Sequence, residues 1–181
     1  MKQFMLISCL AFVLASCNEA GNDKKDSEPT KVEGVKIDEP KLPFPLEQPY
    51  KNWQIGSMEN VVAAMNTMKA YIDKDFSALA AGIGDSLELN FDYLHVKLSR
   101  DSAINFFKAD RPKYNDLSVT MYDYVSVISA DKKSEWVTLW YKQSWKNEKG
   151  VPDSMAVTDD IRMENGKMVE LDEKTSHFPK K

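Results

Sequence analysis

The stretch that most constrains this fold is Glu135–Lys146, EWVTLWYKQSWK. It contains neither Gly nor Pro, and its β-branched and aromatic residues fit a pleated, half-buried surface. Successive side chains of a strand point to opposite faces, and both sets here carry large apolar groups. One set includes Trp136 and Trp140, and the other includes Leu139 and Trp145. The pattern predicts the central strand of a curved antiparallel sheet. Each face of this strand carries apolar side chains that other parts of the protein would have to cover.

The overall composition is that of one globular domain with a core of its own. The chain has 181 residues, of which 43% are hydrophobic and 29% charged. Its net charge of -4 argues against a general nucleic-acid binder. After the N-terminus no apolar run is long enough to cross a bilayer.

The N-terminus has the layout of a secretory signal peptide. Lys2 precedes an apolar run, Phe4–Ala15, which is too short for a stable transmembrane helix. The run closes with Leu14-Ala15-Ser16-Cys17, which resembles the lipobox of bacterial lipoproteins. That resemblance implies a signal peptide at 1–16 and a lipid on Cys17. The alternative is a plain secretory signal with a chance cysteine.

Lipidation would decide where the protein resides. Several acyl chains, at ~0.8 kcal/mol per buried CH₂, anchor a protein stably where one chain does not. The expected location is therefore the cell envelope, with the membrane as a partner through Cys17. Asn18 is not the Asp that resembles an inner-membrane retention signal, which favours the outer membrane.

The cysteine and histidine counts limit which catalytic and metal-binding sites the mature domain can contain. The only cysteines are Cys9, inside the apolar run, and Cys17, so the mature domain has no thiol. Disulfides, thiolate zinc sites and cysteine nucleophiles are thereby excluded from the mature domain. Two histidines, His95 and His177, make a buried zinc site unexpected as well. No phosphate-cradling Gly loop or Gly-x-Ser-x-Gly elbow occurs, and neither a metal nor a cofactor is expected.

The segment 17–49 is interpreted as a tether and 50–181 as the folded domain. Five of the chain's 8 prolines lie in the tether, among Asn, Glu, Asp, Lys and Ser. Such a composition cannot bury enough apolar surface to fold by itself.

Within the domain, helical spacing comes first and period-two alternation follows. Ser57 is a good N-cap for a first helix, and Asp73–Phe76 is expected to separate it from a second helix that ends at Gly82 and Gly84. Ser99 caps a third helix at Arg100–Asp110. The predicted strands are Asp85–Asp92, Leu117–Ser129, Glu135–Lys146, Ser154–Glu164 and Lys167–Thr175, the last two joined by a type I′ turn at Asn165-Gly166. This order predicts an α+β fold with all strands antiparallel.

The order of elements resembles the nuclear transport factor 2-like superfamily, including its SnoaL-like branch, from Trp53 to about Phe178. Four weak motifs carry the resemblance by their order and spacing: Lys74-Asp75-Phe76, Ser99–Phe106, Asp131–Trp140 and Glu164–Lys167. The Trp-x-Ile-Gly segment Trp53–Gly56 also resembles lipid-anchored members from Bacteroidetes-like bacteria. The resemblance implies a cone, a curved sheet wrapped around N-terminal helices, with a pocket at its wide end.

The superfamily includes enzymes, and the resemblance implies where their catalytic residues would lie in this chain. Ketosteroid-isomerase relatives imply a carboxylate base at Asn90 and a tyrosine at Met68, neither of which this chain supplies. Asp92 is an alternative base, since it shares a face with Asn90. Dehydratase relatives use a His–Asp pair, but His95 is more often a surface residue at such a place. No catalytic residue is therefore assigned from the sequence.

Ligand-binding candidates are aromatic and polar residues expected at the wide end of the sheet. They are Tyr122, Tyr124, Trp136, Trp140 and Asp160, with core packing as the alternative interpretation. Asp159 and Asp160 point opposite ways on a strand and therefore do not form a carboxylate dyad.

Three functions remain open from the sequence. The first is a non-catalytic, membrane-anchored domain that binds a small molecule or a protein. The alternative is a small isomerase, dehydratase or hydrolase on the same scaffold, and the third is a purely structural lipoprotein. The first two predict a polar-tipped cavity, and an enzyme further predicts a carboxylate or His with a shifted pKa inside it.

A homodimer through the convex face is also expected. The helices of a cone cover only the concave face, and a large exposed apolar patch usually marks an interface. Trp145 is taken as part of that contact. The competing interpretation is a monomer in which Pro43–Trp53 folds back over the convex face.

Overall fold

A computed structural model describes residues 42–178 of the chain. The predicted signal peptide, Cys17 and most of the tether 17–49 lie outside those residues. A compact unit begins at Pro45. None of the helices within 42–178 is both long and apolar enough to pass through a membrane.

The domain consists of three helices and a seven-stranded curved sheet, as the α+β prediction requires. The helices are α1 (Met58–Asp73), α2 (Phe76–Gly82) and α3 (Arg100–Asp110). The strands are β1 (Gln54–Ile55), β2 (Ile83–Phe91), β3 (Leu94–Ser99), β4 (Asn115–Ile128), β5 (Glu135–Lys146), β6 (Pro152–Glu164) and β7 (Lys167–His177). In the sheet they lie in the order β1-β4-β5-β6-β7-β2-β3.

The helix boundaries follow local capping chemistry and confirm the predicted break. The Ser57 hydroxyl accepts the Asn60 N–H at 3.1 Å, which starts α1. Lys74, at φ 62°, ends it in the left-handed conformation typical of a helix C-terminus. The Asp75 carboxylate then caps α2 by accepting two backbone N–H groups. The third helix spans the predicted residues.

The prediction that all strands are antiparallel is wrong. β4, β5, β6 and β7 form an antiparallel meander, but β7 returns beside β2 in the same direction, with Leu89 opposite Leu171. The sequence also gave no indication of β3, which folds back on β2 through a two-residue turn at Asp92 and Tyr93. That turn lacks the Asn-Gly or Gly-X signal that marks such hairpins.

The core lies between the concave face of the sheet and the helices. Its fully buried side chains come from α1, β2, β5 and β6, and include Val61, Leu87, Leu89, Leu139 and Ile161. Each such side chain contributes about 1.5–3 kcal/mol of burial free energy.

The two faces of β5 differ sharply. Val137, Leu139 and Tyr141 are buried on the concave face, while Trp140 on the convex face is 36% exposed. Trp145 shares the concave parity and packs edge-on against Tyr114 with ring centroids 5.5 Å apart. Its assignment to a convex contact is therefore wrong, because strand parity turns it inward.

The segment before α1 joins the edge of the sheet. β1 pairs with β4, and the Gly56 N–H donates to the Ser126 carbonyl at 2.9 Å. A Cβ at Gly56 would lie 2.2 Å from the Ser126 Oγ, so this close approach requires glycine. Residues 45–52 are exposed, and the Lys51 carbonyl accepts the Ala130 N–H at 3.0 Å. That Pro43–Trp53 covers the convex face in a monomer stays a prediction.

Candidate ligand-binding cavity

A cavity of about 90 Å³ lies at the wide end of the cone. The last turns of α1, the end of α3 and strands β5, β6 and β7 surround it, mostly with apolar and aromatic side chains. Its polar side chains include Tyr71, Asp110, Tyr141, Asp159 and Glu173. Side chains therefore do not fill the interior completely at this place.

An outer depression of about 340 Å³ lies beside the cavity. Five residues line both spaces: Phe91, Tyr93, Tyr114, Met155 and Glu173.

Asp159 is the most unusual group in the cavity wall. Its side chain points inward from β6, and the residue is only 5% exposed. The Tyr141 hydroxyl donates to its Oδ2 at 2.9 Å. Its Oδ1 is buried and has no hydrogen-bond partner among the described residues. Since buried polar atoms are normally paired, this oxygen indicates a site that another molecule completes.

Glu173 faces Asp159 from the neighbouring strand. The two residues are directly opposite in the β6–β7 register, which places their side chains on the same face about 5 Å apart at Cβ. Burial raises the pKa of Glu173 to about 7, and the charges of Asp110 and Asp92 add to the shift. Burial also raises the pKa of Asp159 well above its usual range, with the Glu173 charge as the next cause. The pair thus favours protonated carboxyls when the cavity is empty.

A second hydroxyl–carboxylate pair lines the opposite wall. The Tyr71 hydroxyl on α1 donates to Asp110 Oδ2 at 2.7 Å, and Lys113 donates to the other oxygen at 3.1 Å. Burial, followed by the Asp110 charge, raises the pKa of Tyr71. Burial raises the pKa of Tyr114 to about 12. Both phenols therefore remain hydrogen-bond donors over the physiological range.

Arg111 holds this wall in position. Its side chain is 4% exposed, and its guanidinium donates to the Tyr71, Ile72 and Tyr114 carbonyls. Its charge therefore satisfies the carbonyls at the end of α1, where the helix dipole favours a cation. Arg111 does not line the cavity.

None of the five predicted ligand-binding residues lines the cavity. Trp136, Trp140 and Asp160 lie on the convex parity of β5 and β6, where Asp160 accepts from Thr138 Oγ1 at 2.6 Å. Tyr122 and Tyr124 are exposed beside an irregularity in β4. Trp136, Trp140 and Asp160 have the outward parity, whereas Tyr124, opposite Leu139 in the register, lies where β4 is exposed. Binding of a ligand outside the cavity by these residues stays a prediction.

The positions taken from isomerase relatives are only partly in the cavity. Met68 lines it, but Asn90 points to the other side of β2 and donates to Glu170 at 3.1 Å. Phe91, the next residue, faces the cavity instead. Asp92 and His177 lie at the outer depression, and the His95 side chain is 76% exposed.

Sequence reasoning missed Asp159 and Glu173. A signal for Asp159 was present: it interrupts an alternating series of otherwise apolar residues, Met155, Val157, Ile161 and Met163. All of these share its burial. A lone acid on an apolar face marks a buried polar site, whereas Asp160 belongs to the polar face.

Sequence comparisons do not place the chain in a family. No family model matches it, and no curated protein matches its sequence.

Solved structures resemble the domain in fold at low identity. An LEH-like epoxide hydrolase of M. tuberculosis is 13% identical, with 66% of this chain and 84% of that one covered and a TM-score of 0.54. A nuclear transport factor 2-like protein of unknown function from Burkholderia pseudomallei is 12% identical, with 66% and 92% covered and a TM-score of 0.55. A putative hydroxylase from Streptomyces galilaeus is 14% identical, with 67% and 91% covered and a TM-score of 0.52. At these identities the similarity shows the fold alone, and the domain has the nuclear transport factor 2-like cone fold.

Proposed function

We propose that this chain is a lipid-anchored protein of the bacterial cell envelope whose cone domain binds a small, mostly apolar molecule by one polar end. The observation that carries the proposal is the cavity with the buried, unpaired Oδ1 of Asp159 in its wall. A ligand atom that pairs with this oxygen would remove the cost of leaving it unsatisfied.

The remaining walls suit an apolar body. Aromatic rings of Phe91, Phe106 and Phe107 approach one another at centroid distances of 5.5–6.3 Å and border the cavity. Met68 and Met155 add flexible apolar surface, which adapts to ligands of different shape. Apolar walls with a few placed polar groups are typical of small-molecule sites.

Cavity binding is tested by filling the space. We expect Met68→Trp to weaken binding of benzyl alcohol at least ~10-fold, because the larger ring occupies the ligand volume. Val62→Trp is the matched control, since Val62 lies on the same helix and is 52% exposed. Isothermal titration calorimetry gives both affinities. Equal binding by both variants would place the site outside the cavity.

The anchor is supported by the Leu14–Cys17 motif after a basic and apolar start. Cys17→Ser is expected to abolish labelling with a radioactive fatty acid and to release the protein from the outer-membrane fraction or leave an uncleaved precursor. Cys9→Ser, within the apolar run, is the matched control and should be labelled normally. Labelling of the Cys17 variant would contradict the anchor.

A second candidate function is proton-transfer catalysis at the same carboxyls. The observation that favours it is Glu173, whose pKa is raised to about 7 beside Asp159 in a cavity. A carboxyl with a pKa near the working pH is the usual requirement for a general base. Hydrolase and hydroxylase descriptions of proteins with this fold are compatible with this function.

The test is the Kemp elimination of 5-nitrobenzisoxazole, in which a carboxylate removes the ring C–H proton as the N–O bond breaks. An enzyme is expected to accelerate the reaction with a rate that rises through about pH 7, the pKa of Glu173. Glu173→Gln should abolish the acceleration, and Asp172→Asn, one residue away on the other face, should retain it. Absence of acceleration at every pH would leave the binding function alone.

A further inference from the structure

The cavity and the outer depression are lined by carboxyl groups and aromatic rings, with few positive charges nearby. Asp159 and Glu173 line the interior, and Asp92 lines the outer depression. Among residues 42–178, no Lys or Arg lines either space, and these three carboxyls form no ion pair apart from Asp159's distant attraction to Lys174. Lys174 itself is held on the convex face by Asp160 and Asp172, each at 2.9 Å.

The nearby cations serve other partners. Lys113 donates to Asp110, and the Arg111 guanidinium is occupied by backbone carbonyls at the end of α1. His177, at the rim of the outer depression, is the remaining titratable group of positive type. A neutral or anionic ligand leaves the pKa values of Asp159 and Glu173 raised, as in the empty cavity, whereas a cation supplies the countercharge that favours their ionised forms.

Aromatic rings line both spaces. Phe91 and Tyr93, with centroids 5.9 Å apart, border the cavity and the outer depression, and Tyr114 meets Trp145 edge-on at the depression. Aromatic faces attract organic cations, and the attraction is largest where water is excluded. Carboxylates and aromatic rings together are the usual environment of an ammonium group.

We propose that the cavity accepts an organic cation, a protonated or quaternary amine on an apolar body about one aromatic ring in size. This assignment rests on three observations: the unpaired Oδ1 of Asp159, the opposing Glu173 carboxyl and the aromatic rings that line the outer depression. It rests on the proposed binding function and specifies the chemical class of the ligand.

Cation binding is coupled to proton release. The raised pKa of Glu173, about 7, keeps the empty cavity partly protonated, and a bound ammonium favours the ionised carboxylate. The charged groups that face Glu173 are Asp159 on β6, Asp110 on α3 and Asp92 in the β2–β3 turn, with His177 near the rim. Affinity for a cation should therefore increase as the pH rises through about 7.

Three probes of similar size and different charge test whether the cavity prefers a cation. Benzylammonium, benzyl alcohol and benzoate are titrated into the full chain in non-ionic detergent, with titration into detergent alone subtracted. At pH 7.5 benzylammonium is expected to bind at least ~10-fold more tightly than benzyl alcohol, with benzoate weakest. Its affinity should fall by roughly 10-fold on lowering the pH from 7.5 to 5.5, and its binding near pH 7 should release protons to the buffer.

Two isosteric variants test whether the cavity carboxyls cause the preference for a cation. Glu173→Gln and Asp159→Asn should each weaken binding of benzylammonium at least ~10-fold more than they weaken binding of benzyl alcohol. Asp172→Asn removes the same charge from the convex face and should change neither.

The possible outcomes separate this assignment from the binding function. If benzyl alcohol or benzoate binds as tightly as benzylammonium, the cavity binds small molecules but the cation assignment is wrong. If benzylammonium binds best but both cavity variants retain its affinity, the cation site lies elsewhere and the assignment is also wrong. If none of the probes binds, the binding function and the cation assignment both fail.

Discussion

Asp159 and Asp160 are neighbours in the chain, yet their surroundings differ completely. Asp160 lies on the convex face, where Thr138 and Lys174 donate to its two oxygens. Asp159 lies on the concave face, where Tyr141 is the one donor to it among residues 42–178 and burial raises its pKa. A strand turns successive residues to opposite faces, so a single position separates a solvated ion pair from a cavity acid. The concave face builds the core and the site, and the convex face remains available for other contacts.

The largest expected difference between the faces is in packing. Leu139→Ala should lower the free energy of unfolding by about 4 kcal/mol, because a fully buried side chain is lost and a cavity remains. Trp140→Ala, its neighbour on the convex face, should cost less than about 1 kcal/mol. Urea unfolding followed by circular dichroism measures both. A Trp140 cost equal to that of Leu139 would remove the distinction between the faces.

The next difference concerns pH. Glu173 ionises at about 4.5 in an unfolded chain and at about 7 in the folded domain. Its contribution to stability is therefore present below about pH 4.5 and is lost as the pH rises to about 7, by at most roughly 3 kcal/mol. Glu173→Gln should remove this loss, which unfolding curves at pH 5 and pH 8 will show.

The control for that experiment is Asp172→Asn. Asp172 is next to Glu173 in β7 but faces Lys174 on the convex side. Its variant should retain the same fall in stability between pH 5 and pH 8 as the unaltered protein. A flat pH profile in the unaltered protein would contradict the raised pKa of Glu173.

A smaller difference is expected between two hydroxyl–carboxylate hydrogen bonds. Tyr141→Phe removes the donor to buried Asp159 and should cost about 2 kcal/mol at pH 7, since a second oxygen loses its partner. Thr138→Val removes the donor to Asp160, which Lys174 still contacts, and should cost about 0.5 kcal/mol. Thermal unfolding by calorimetry compares the two. Equal costs would mean that burial does not distinguish these aspartates.

The smallest effect on stability concerns the proposed dimer. The convex face exposes Trp140, whereas Trp145 is turned inward against Tyr114. Trp140→Glu should therefore split a homodimer through this face with little change in unfolding free energy. Sedimentation at micromolar concentration measures the mass of both forms. A monomeric mass for the unaltered protein would count against the dimer.

Local chemistry made much of the fold predictable. Ser57, Asp75 and Ser99 are side chains that cap helices through their own neighbours, so they define helix starts within the sequence. Asn165 and Gly166 adopt positive φ of 51° and 73°, as the predicted hairpin turn requires. The long strands β5, β6 and β7 were likewise indicated by alternation over many residues.

The site was harder to predict because it depends on contacts between distant parts of the chain. Asp159 and Glu173 are brought together by the β6–β7 register, and Asp110 and Tyr71 by packing of α3 against α1. Burial raises the pKa of Glu173, and the charges of Asp110 and Asp92 add to the shift. Neither aspartate lies near Glu173 in the sequence. The parallel pairing of β2 with β7 is another contact that no local pattern records.

By itself, the sequence determined the helices, the long strands and their order, because capping, turn chemistry and periodicity act over a few residues. Tertiary structure alone decided which face of each strand turns inward. That choice placed Asp159 in the cavity and Asp160 outside it. The physical reason is that both faces of β5 carry large apolar side chains, so hydrophobic pattern could not choose between them. α1 and α3 pack against one face of the sheet, and this packing left the other face exposed.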